Sequence, residues 1–179
     1  WPHGATLVLD SDVPMGAGVA SSGAIEVATM AALLHAYDLA LDGLRLARLC
    51  QQVENHVAGA PCGVMDQVTA ALGEAGKLLI LLCQPSQVLG LQPLPSWAAT
   101  FGIDTGVKHT VGGRQYARAR VGAYMGLKII TSHLAPRALG GYLCNLTPEQ
   151  FRRDWWDRLP SKMTGAEFLS RYGETDDLV

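Results

Sequence analysis

The chain of 179 residues is 49% hydrophobic, 7% aromatic and 17% charged, with a formal net charge of -2. This is the composition of a globular protein long enough for one domain with a substantial core, or for part of a larger one. The near-neutral charge and the lack of a long Lys/Arg cluster argue against a nucleic-acid partner and against an anionic-membrane partner.

The sequence pattern gives no sign of export or of membrane insertion. Apolar runs such as residues 77–83 are too short to span a bilayer, and no signal-peptide succession is present, so a cytoplasmic location is expected. The four cysteines are widely spaced without a Cys-x-x-Cys pair, which gives no support to a zinc knuckle or a disulfide framework. The chain begins at Trp1, without Met, which suggests that N-terminal sequence precedes it.

The first half of the chain alternates short predicted elements with loops. Residues 6–10 read as a strand, and residues 25–35, which are apolar all round, as a largely buried helix. Apolar residues recur at helical spacing over residues 44–57, so an amphipathic helix is predicted there. A turn rich in glycine and proline over residues 59–63 leads into a second short helix over residues 64–72.

The second half begins with a change of pattern. Residues 77–83, 88–93 and 99–104 are short apolar or alternating runs bounded by turn residues, which predicts three adjacent strands. A long helix is predicted over residues 112–133 and a polar helical segment over residues 148–159. Helices and strands in separate blocks are typical of an α+β domain.

A loop of small residues joins the first predicted strand to the first predicted helix, and it reads Gly16-Ala17-Gly18-Val19-Ala20-Ser21-Ser22. Small residues let the backbone approach a phosphate group, and the N–H groups at a helix N-terminus attract an anion. No Gly-Lys-Ser/Thr follows, and the third glycine of a Rossmann motif would fall on Ser21, so both of those loops are excluded. The alternative is an ordinary turn in which Ser21 or Ser22 caps the helix.

Three oxygen-bearing side chains have the chemistry that phosphoryl transfer requires around such a loop. Ser22 offers a hydroxyl to a magnesium ion, Glu54 a carboxylate, and Asp66 a proton acceptor. Glu54 and Asp66 are separated by the turn, so a chain reversal can bring both to one site. As alternatives, Glu54 is a solvated helix residue and Asp66 complements a helix dipole or caps a helix. Glu26, one turn after Ser22, is a rival metal ligand.

Two of these segments carry a family resemblance. Residues 14–26 resemble the second motif of the sugar and metabolite kinases of the GHMP superfamily, and residues 54–67 resemble the galactokinase segment ending in Cys-Gly-Ile-Met-Asp-Gln. Within the superfamily, residues 59–67, 103–109 and 111–113 are similar to the L-arabinokinase branch. The Asn-rich strand end that galactokinases usually carry is missing, which disfavours a galactose substrate.

The resemblance implies an incomplete GHMP kinase fold of the α+β class. Residues 1–110 would form the N-terminal ATP and magnesium part, similar to domain 2 of ribosomal protein S5, and residues 111–179 would begin the C-terminal α/β part, which holds the substrate. The family's N-terminal sugar motif and C-terminal glycine-rich motif find no match in the chain. The implied activity is transfer of the ATP γ-phosphoryl group to the anomeric hydroxyl of a monosaccharide, L-arabinose in preference to galactose.

The resemblance also implies roles for individual residues. The ATP phosphates would be wrapped by Gly16, Ala17, Gly18, Val19, Ala20, Ser21 and Ser22. Ser22 and Glu54 would hold Mg²⁺, and Asp66 would orient or deprotonate the sugar hydroxyl.

Four further residues are candidate contacts to the substrates. Asp104 and Tyr116 would contact the sugar, although a strand-end Asp often caps a turn and a helical Tyr is often plain core. Lys108 and His109 would contact phosphate or sugar, or be solvated. Cys62 is expected to be a small buried packing residue, because no step of phosphoryl transfer needs a thiol nucleophile.

Two rival functions use the same fold. A catalytically silent sensor would bind ATP and sugar to control a partner, but its usual mark is damage to the acid or the phosphate loop, and Asp66 and Ser22 are both present. An ATP-consuming decarboxylase of the superfamily is disfavoured by the run from Cys62 to Gln67, which is typical of sugar kinases.

Overall fold

The structure is a computed structural model that describes residues 3–107, 114–134 and 139–177. The chain divides into two compact units, Trp1–Gly112 and Gly113–Val179. The elements of the first unit are α1 (Ser21–Ala36), α2 (Gly43–His56), α3 (Met65–Leu72), β1 (Lys77–Leu82) and β2 (Gln87–Pro93). Those of the second unit are α4 (Arg114–Ser132), a 3-10 turn (Leu143–Asn145), α5 (Pro148–Asp154) and α6 (Gly165–Tyr172). Among the described residues, no helix is both long and apolar enough to cross a bilayer.

Three helices pack together in the first unit. The Asp42 side chain begins α2 by accepting a hydrogen bond from the Arg45 backbone N–H at 2.9 Å, which satisfies one of the free donors of the first turn. The apolar stripe of α2 turns toward α1, and Leu46 and Cys50 form a buried cluster with Val27. Of the apolar residues at helical spacing, Leu46 and Cys50 therefore pack, whereas Leu49 and Val53 are exposed.

A β-hairpin covers the other side of α2 and α3. Strand β1 pairs with β2 in antiparallel register, and a bulge between Ile80 and Leu81 interrupts the pairing. Leu79, Leu81 and Val88 on one face of the hairpin pack against Ala47, Val64 and Val68, which form a buried cluster. The two clusters therefore surround α2 on both sides and fix it between its neighbours.

The second unit is built around its own core. Leu127 and Ile130 of α4 form a buried cluster with Leu139 and Trp155. Both short helices start with capping boxes, at Thr147 for α5 and at Thr164 for α6. These reciprocal hydrogen bonds satisfy the donors that a helix N-terminus leaves unpaired, so that helices of only seven and eight residues are well defined.

The structure confirms the α+β class and most of the predicted elements. The helices predicted over residues 25–35, 44–57, 64–72 and 112–133 correspond to α1, α2, α3 and α4, and two of the predicted strands correspond to β1 and β2. The prediction that the first helix is largely buried is wrong, because Gly23 and Val27 are the buried residues of α1 and the others are half-buried or exposed. The last predicted helical segment is shorter than expected, because α5 ends at Asp154 and Trp155 follows as its C-cap.

Two strand predictions are wrong. Residues 6–10 and 99–104 do not form strands in the structure. A strand requires a neighbouring backbone to accept and donate its hydrogen bonds, and within the described residues strand pairing is limited to the β1–β2 hairpin. The apolar side chains of both segments are accordingly exposed, with Val8 at 91% and Ile103 at 89%.

Candidate functional site

The glycine-rich loop enters α1 through alternate residues in the left-handed region. The φ angles are 69° at Gly16, 76° at Gly18 and 61° at Ala20. Ala20 is the N-cap of α1 and makes no side-chain capping bond, while Ser21 and Ser22 already lie inside the helix. The serines are thus not the N-cap, and the Ala20 side chain does not cap the N–H groups of the first turn, which is the arrangement that suits an anion.

Gly23 brings this loop next to Asp66. A Cβ atom at Gly23 would lie 3.2 Å from the Cβ of Asp66 and 3.3 Å from its carbonyl carbon, closer than most Cβ contacts. Asp66 stands in the first turn of α3, so the N-terminal ends of α1 and α3 meet at this point. The predicted phosphate loop and the predicted proton acceptor are therefore neighbours because residue 23 has no side chain.

A buried hydrogen-bond cluster connects the three helices beside that contact. Glu54 on α2 is 6% exposed and Gln67 on α3 is fully buried. The Gln67 amide nitrogen donates to Oε2 of Glu54 at 2.5 Å and to Oε2 of Glu26, on α1, at 3.1 Å. The two candidate metal ligands, Glu26 and Glu54, are thus held by one amide group.

Cys62 joins the cluster from the turn between α2 and α3. Its thiol donates to Oε2 of Glu54 at 3.1 Å, and its backbone N–H donates to Oδ1 of Asn55 at 3.0 Å. The Gln51 amide nitrogen donates to the Cys62 carbonyl oxygen at 3.2 Å. Cys62 is buried as expected, but its thiol is also a hydrogen-bond donor to the Glu54 carboxylate, which the sequence analysis did not predict.

Burial and neighbouring charges raise the pKa values of three side chains in the cluster. Burial raises the pKa of Asp66, and the nearby Glu54 raises it further. Burial also raises the pKa of Glu26, an effect that the hydrogen bond from Gln67 opposes and Glu54 reinforces. Burial, followed by the hydrogen bond to Glu54, raises the pKa of Cys62 to about 12. The thiol is therefore a neutral donor, and the site as a whole favours the approach of a cation.

The predicted residues of the phosphate loop and the three predicted catalytic and metal-binding residues differ in their burial. Ser22 directly precedes Gly23 and is exposed, and Asp66 is half-buried in contact with Gly23. Glu54 is buried near the end of α2 and is linked to this contact through Gln67, the neighbour of Asp66. Of the remaining loop residues, Gly18 and Val19 are exposed, and the half-buried ones are Gly16, Ala17, Ala20 and Ser21.

The predicted sugar contacts belong to other segments of the chain. Asp104 is exposed in a turn, where its Oδ1 accepts the Gly106 backbone N–H at 2.8 Å. Tyr116 is on α4 in the second unit and is 38% exposed. Lys108 and His109 lie outside the described residues.

Gln67 is a candidate site residue that the sequence analysis missed. It follows Asp66 directly and lies on the same helical face as Val64 and Val68, both buried. A polar residue on an apolar helical face needs buried hydrogen-bond partners. Its position on a buried face was the signal that the sequence offered. Its partners could not be identified from the sequence, because they lie on other helices, α1 and α2.

The donors at this site suit magnesium. Mg²⁺ prefers oxygen ligands and is usually held by one or two carboxylates together with substrate phosphates. Glu54 supplies a buried carboxylate and Ser22 a hydroxyl, and the buried Oε1 of Gln67 has no hydrogen-bond partner among the described residues. Among all the residues that the structure describes, no group of three or more His, Cys, Asp or Glu side chains could hold a metal ion unaided. The residues present therefore fit an ion that arrives with phosphate ligands.

Comparison with known proteins gives one family and several relatives. Residues 2–74 match the family model described as GHMP kinases N terminal domain. The L-arabinokinase of Arabidopsis thaliana is 45% identical over 97% of this chain and 19% of its own length. The galactokinases of Chloroflexus aggregans and Streptomyces coelicolor are 39% and 40% identical, over 72% and 71% of this chain. The chain spans between a fifth and a third of the length of these relatives. No solved structure matches the chain.

The Gly23 contact predicts a position-specific effect of one methyl group. Gly23→Ala should lower the free energy of unfolding by about 1–3 kcal/mol, because the Cβ would press on the backbone and Cβ of Asp66. Gly63→Ala is the matched control, since a Cβ there meets no atom within 4 Å. Urea unfolding followed by circular dichroism measures both, and equal changes in the two variants would contradict the close contact.

The raised pKa of Cys62 predicts slow alkylation. At pH 8 iodoacetamide should modify the exposed Cys83 at least about a hundredfold faster than Cys62, since only the thiolate reacts and Cys62 is buried with a pKa of about 12. Peptide mass spectrometry gives the two rates. Labelling in urea is the control, where both thiols should react at similar rates, and equal rates in the folded chain would refute the prediction.

Proposed function

We propose, from the membership of this chain in the GHMP kinase family through residues 2–74, that it transfers the γ-phosphoryl group of ATP to the anomeric hydroxyl of a monosaccharide. The resemblance first read from residues 14–26 and 54–67 is confirmed by that match. The relatives that cover most of the chain bear the names L-arabinokinase and galactokinase, so a sugar kinase is the function class that they support.

The close approach at Gly23 is the observation that carries the proposal. Phosphoryl transfer needs the donor phosphate, the metal ligands and the proton acceptor within one small space. The contact between Gly23 and Asp66, with Glu54 buried beside it, supplies that arrangement from three separate segments of the chain. A structural role alone would not require two acids and a phosphate-type loop to converge.

Each residue has a defined task in this proposal. The loop of residues 16–22 and the N-terminus of α1 bind the ATP phosphates through backbone N–H groups. Ser22 and Glu54 hold Mg²⁺, which when bound neutralises charge on the phosphates. Asp66 accepts the proton of the sugar hydroxyl. At the same time the hydroxyl oxygen bonds to the γ-phosphorus, and the bond from that phosphorus to the β–γ bridging oxygen breaks. Its raised pKa makes Asp66 a stronger proton acceptor than an ordinary carboxylate.

The substrate proposed is L-arabinose, with galactose as the alternative. The identity of 45% over nearly the whole chain to an L-arabinokinase supports this order, and the galactokinases cover less of it. Asp104 and Tyr116 remain proposed sugar contacts. We propose residues 1–110 as the ATP and magnesium part, residues 111–179 as the start of the substrate part, and the cytoplasm as the location.

A substrate panel tests the function. The chain, and the natural protein that contains it, are incubated with Mg·ATP and L-arabinose, galactose or glucuronic acid, and sugar phosphate is detected by mass spectrometry. We expect formation of L-arabinose 1-phosphate with ADP. Release of carbon dioxide would point to a decarboxylase, and nucleotide binding without turnover of any sugar would point to a silent sensor.

Replacing the proposed proton acceptor should separate catalysis from binding. Asp66→Asn removes the acceptor and should lower kcat by about 10²–10⁴-fold, because a positioned general base contributes about that much. The affinity for ATP, measured by calorimetry, should change less than about twofold, since Asp66 acts on the sugar hydroxyl.

Asp38→Asn is the matched control for this substitution. Asp38 is exposed and has a φ of 52°, which Asn tolerates well, so the same loss of charge should leave turnover unchanged. Full activity of Asp66→Asn would reject the role given to Asp66.

A further inference from the structure

We propose that Gln67 is a positioning residue for the divalent cation: its amide ties Oε2 of Glu54 to the Glu26 carboxylate, and so presents the second oxygen of Glu54 to the ion. This inference rests on the proposed function, because it assigns a partner to the magnesium ligand of that site. The sequence motif gave no role to Gln67, and the sugar kinase proposal makes no use of it.

The geometry uses both hydrogens of the amide. The Gln67 nitrogen has carboxylate oxygens of Glu54 and Glu26 at 2.5 and 3.1 Å. The side of the amide that faces the two carboxylates is its NH₂ group, which has two donors. Because the amide is planar, its two N–H directions are fixed relative to each other. Gln67 therefore sets the distance and the angle between the two acids.

The donors to Glu54 are directed at a single oxygen. Both the Gln67 amide and the Cys62 thiol donate to Oε2. Hydrogen bonds to one oxygen of a ligating carboxylate orient its other oxygen, and outer partners of this kind are known to tune metal affinity. Oε1 of Glu54 is accordingly the oxygen that we assign to the cation.

A neutral donor is the residue type that this position requires. Glu54 is buried and Glu26 is half-buried on the adjacent helix, and two carboxylates at this separation repel each other when no donor lies between them. Gln67 is fully buried, so solvent cannot easily take its place between them. A Glu at this position would add a third acid, and an apolar residue would leave both acids without their donor.

The oxygen of the same amide has no such partner. Oε1 of Gln67 is buried and accepts no hydrogen bond among the described residues. An unsatisfied buried acceptor lowers stability and offsets part of what the hydrogen bonds to the two acids contribute. Local costs of this kind gather at functional sites.

Binding of Mn²⁺ in the presence of ADP, followed by electron paramagnetic resonance, tests the inference on the chain as it exists. Gln67→Met keeps the length of the side chain but removes the donor, and it should weaken Mn²⁺ binding by about 10–100-fold. Gln51→Met is the matched control, since the Gln51 side chain is a half-buried donor to the Cys62 carbonyl oxygen and makes no hydrogen bond to either acid among the described residues. Its Mn²⁺ affinity should stay within about twofold of the wild type.

A second variant and a comparison of Mg²⁺ dependence with kcat separate a positioning role from a role in folding. Gln67→Glu preserves the shape but replaces the donor by an acceptor, so it should lose as much affinity as Gln67→Met. In the kinase assay, Gln67→Met should raise the Mg²⁺ concentration needed for half-maximal rate, with kcat at saturating Mg²⁺ nearly unchanged. Circular dichroism checks that the variants fold, and failure of both Gln67 variants to fold would overturn the inference by making the residue structural.

The outcomes distinguish this inference from the function on which it rests. If the wild type phosphorylates a sugar but Gln67→Met binds Mn²⁺ as tightly as Gln51→Met, the positioning role is rejected and the kinase remains. If the wild type binds Mn²⁺ with the expected difference between variants but phosphorylates no sugar, the kinase is rejected and the positioning role remains. A wild type that binds no Mn²⁺ in the presence of ADP overturns the inference directly.

Discussion

A single buried amide holds the acids of the first unit in place. Gln67 donates to Glu26 on α1 and to Glu54 on α2 from its own position on α3. Glu54 is buried and Glu26 is half-buried, and two neighbouring carboxylates repel each other unless a donor lies between them. The Gln67 amide supplies that donor where the three helices meet. Apolar clusters at Val27 and at Val68 flank the bridge and supply the burial that holds the helices together.

The same region carries several features that cost stability. Ala20 adopts a left-handed conformation, which costs an L-residue about 1–2 kcal/mol. Glu54 is buried, and Gln67 keeps one unpaired oxygen. Such local costs gather at functional sites and are offset by packing elsewhere. Their concentration around the contact at Gly23 separates this region from the second unit, where the short helices follow standard capping rules.

Local pattern predicted most of the helices. A helix closes its hydrogen bonds within a few residues, so the sequence of each segment was enough to find α1 to α4, although α6 was not predicted. The hairpin was also found, because its two strands adjoin in sequence and pair with each other. The strands predicted over residues 6–10 and 99–104 were wrong, because an alternating pattern specifies a strand only when another backbone pairs with it.

The sequence by itself determined the kinds of chemistry available: a loop of small residues before a helix, and the acids Glu26, Glu54 and Asp66 in motifs of one kinase family. Residue type and spacing carry that information because they fix what a side chain can donate or accept. Only the tertiary structure decided that both Glu26 and Glu54 contact Gln67, that the Cys62 thiol is a donor, and that Asp66 packs closely against Gly23. These contacts join residues up to 43 positions apart, and their distances depend on how three helices pack.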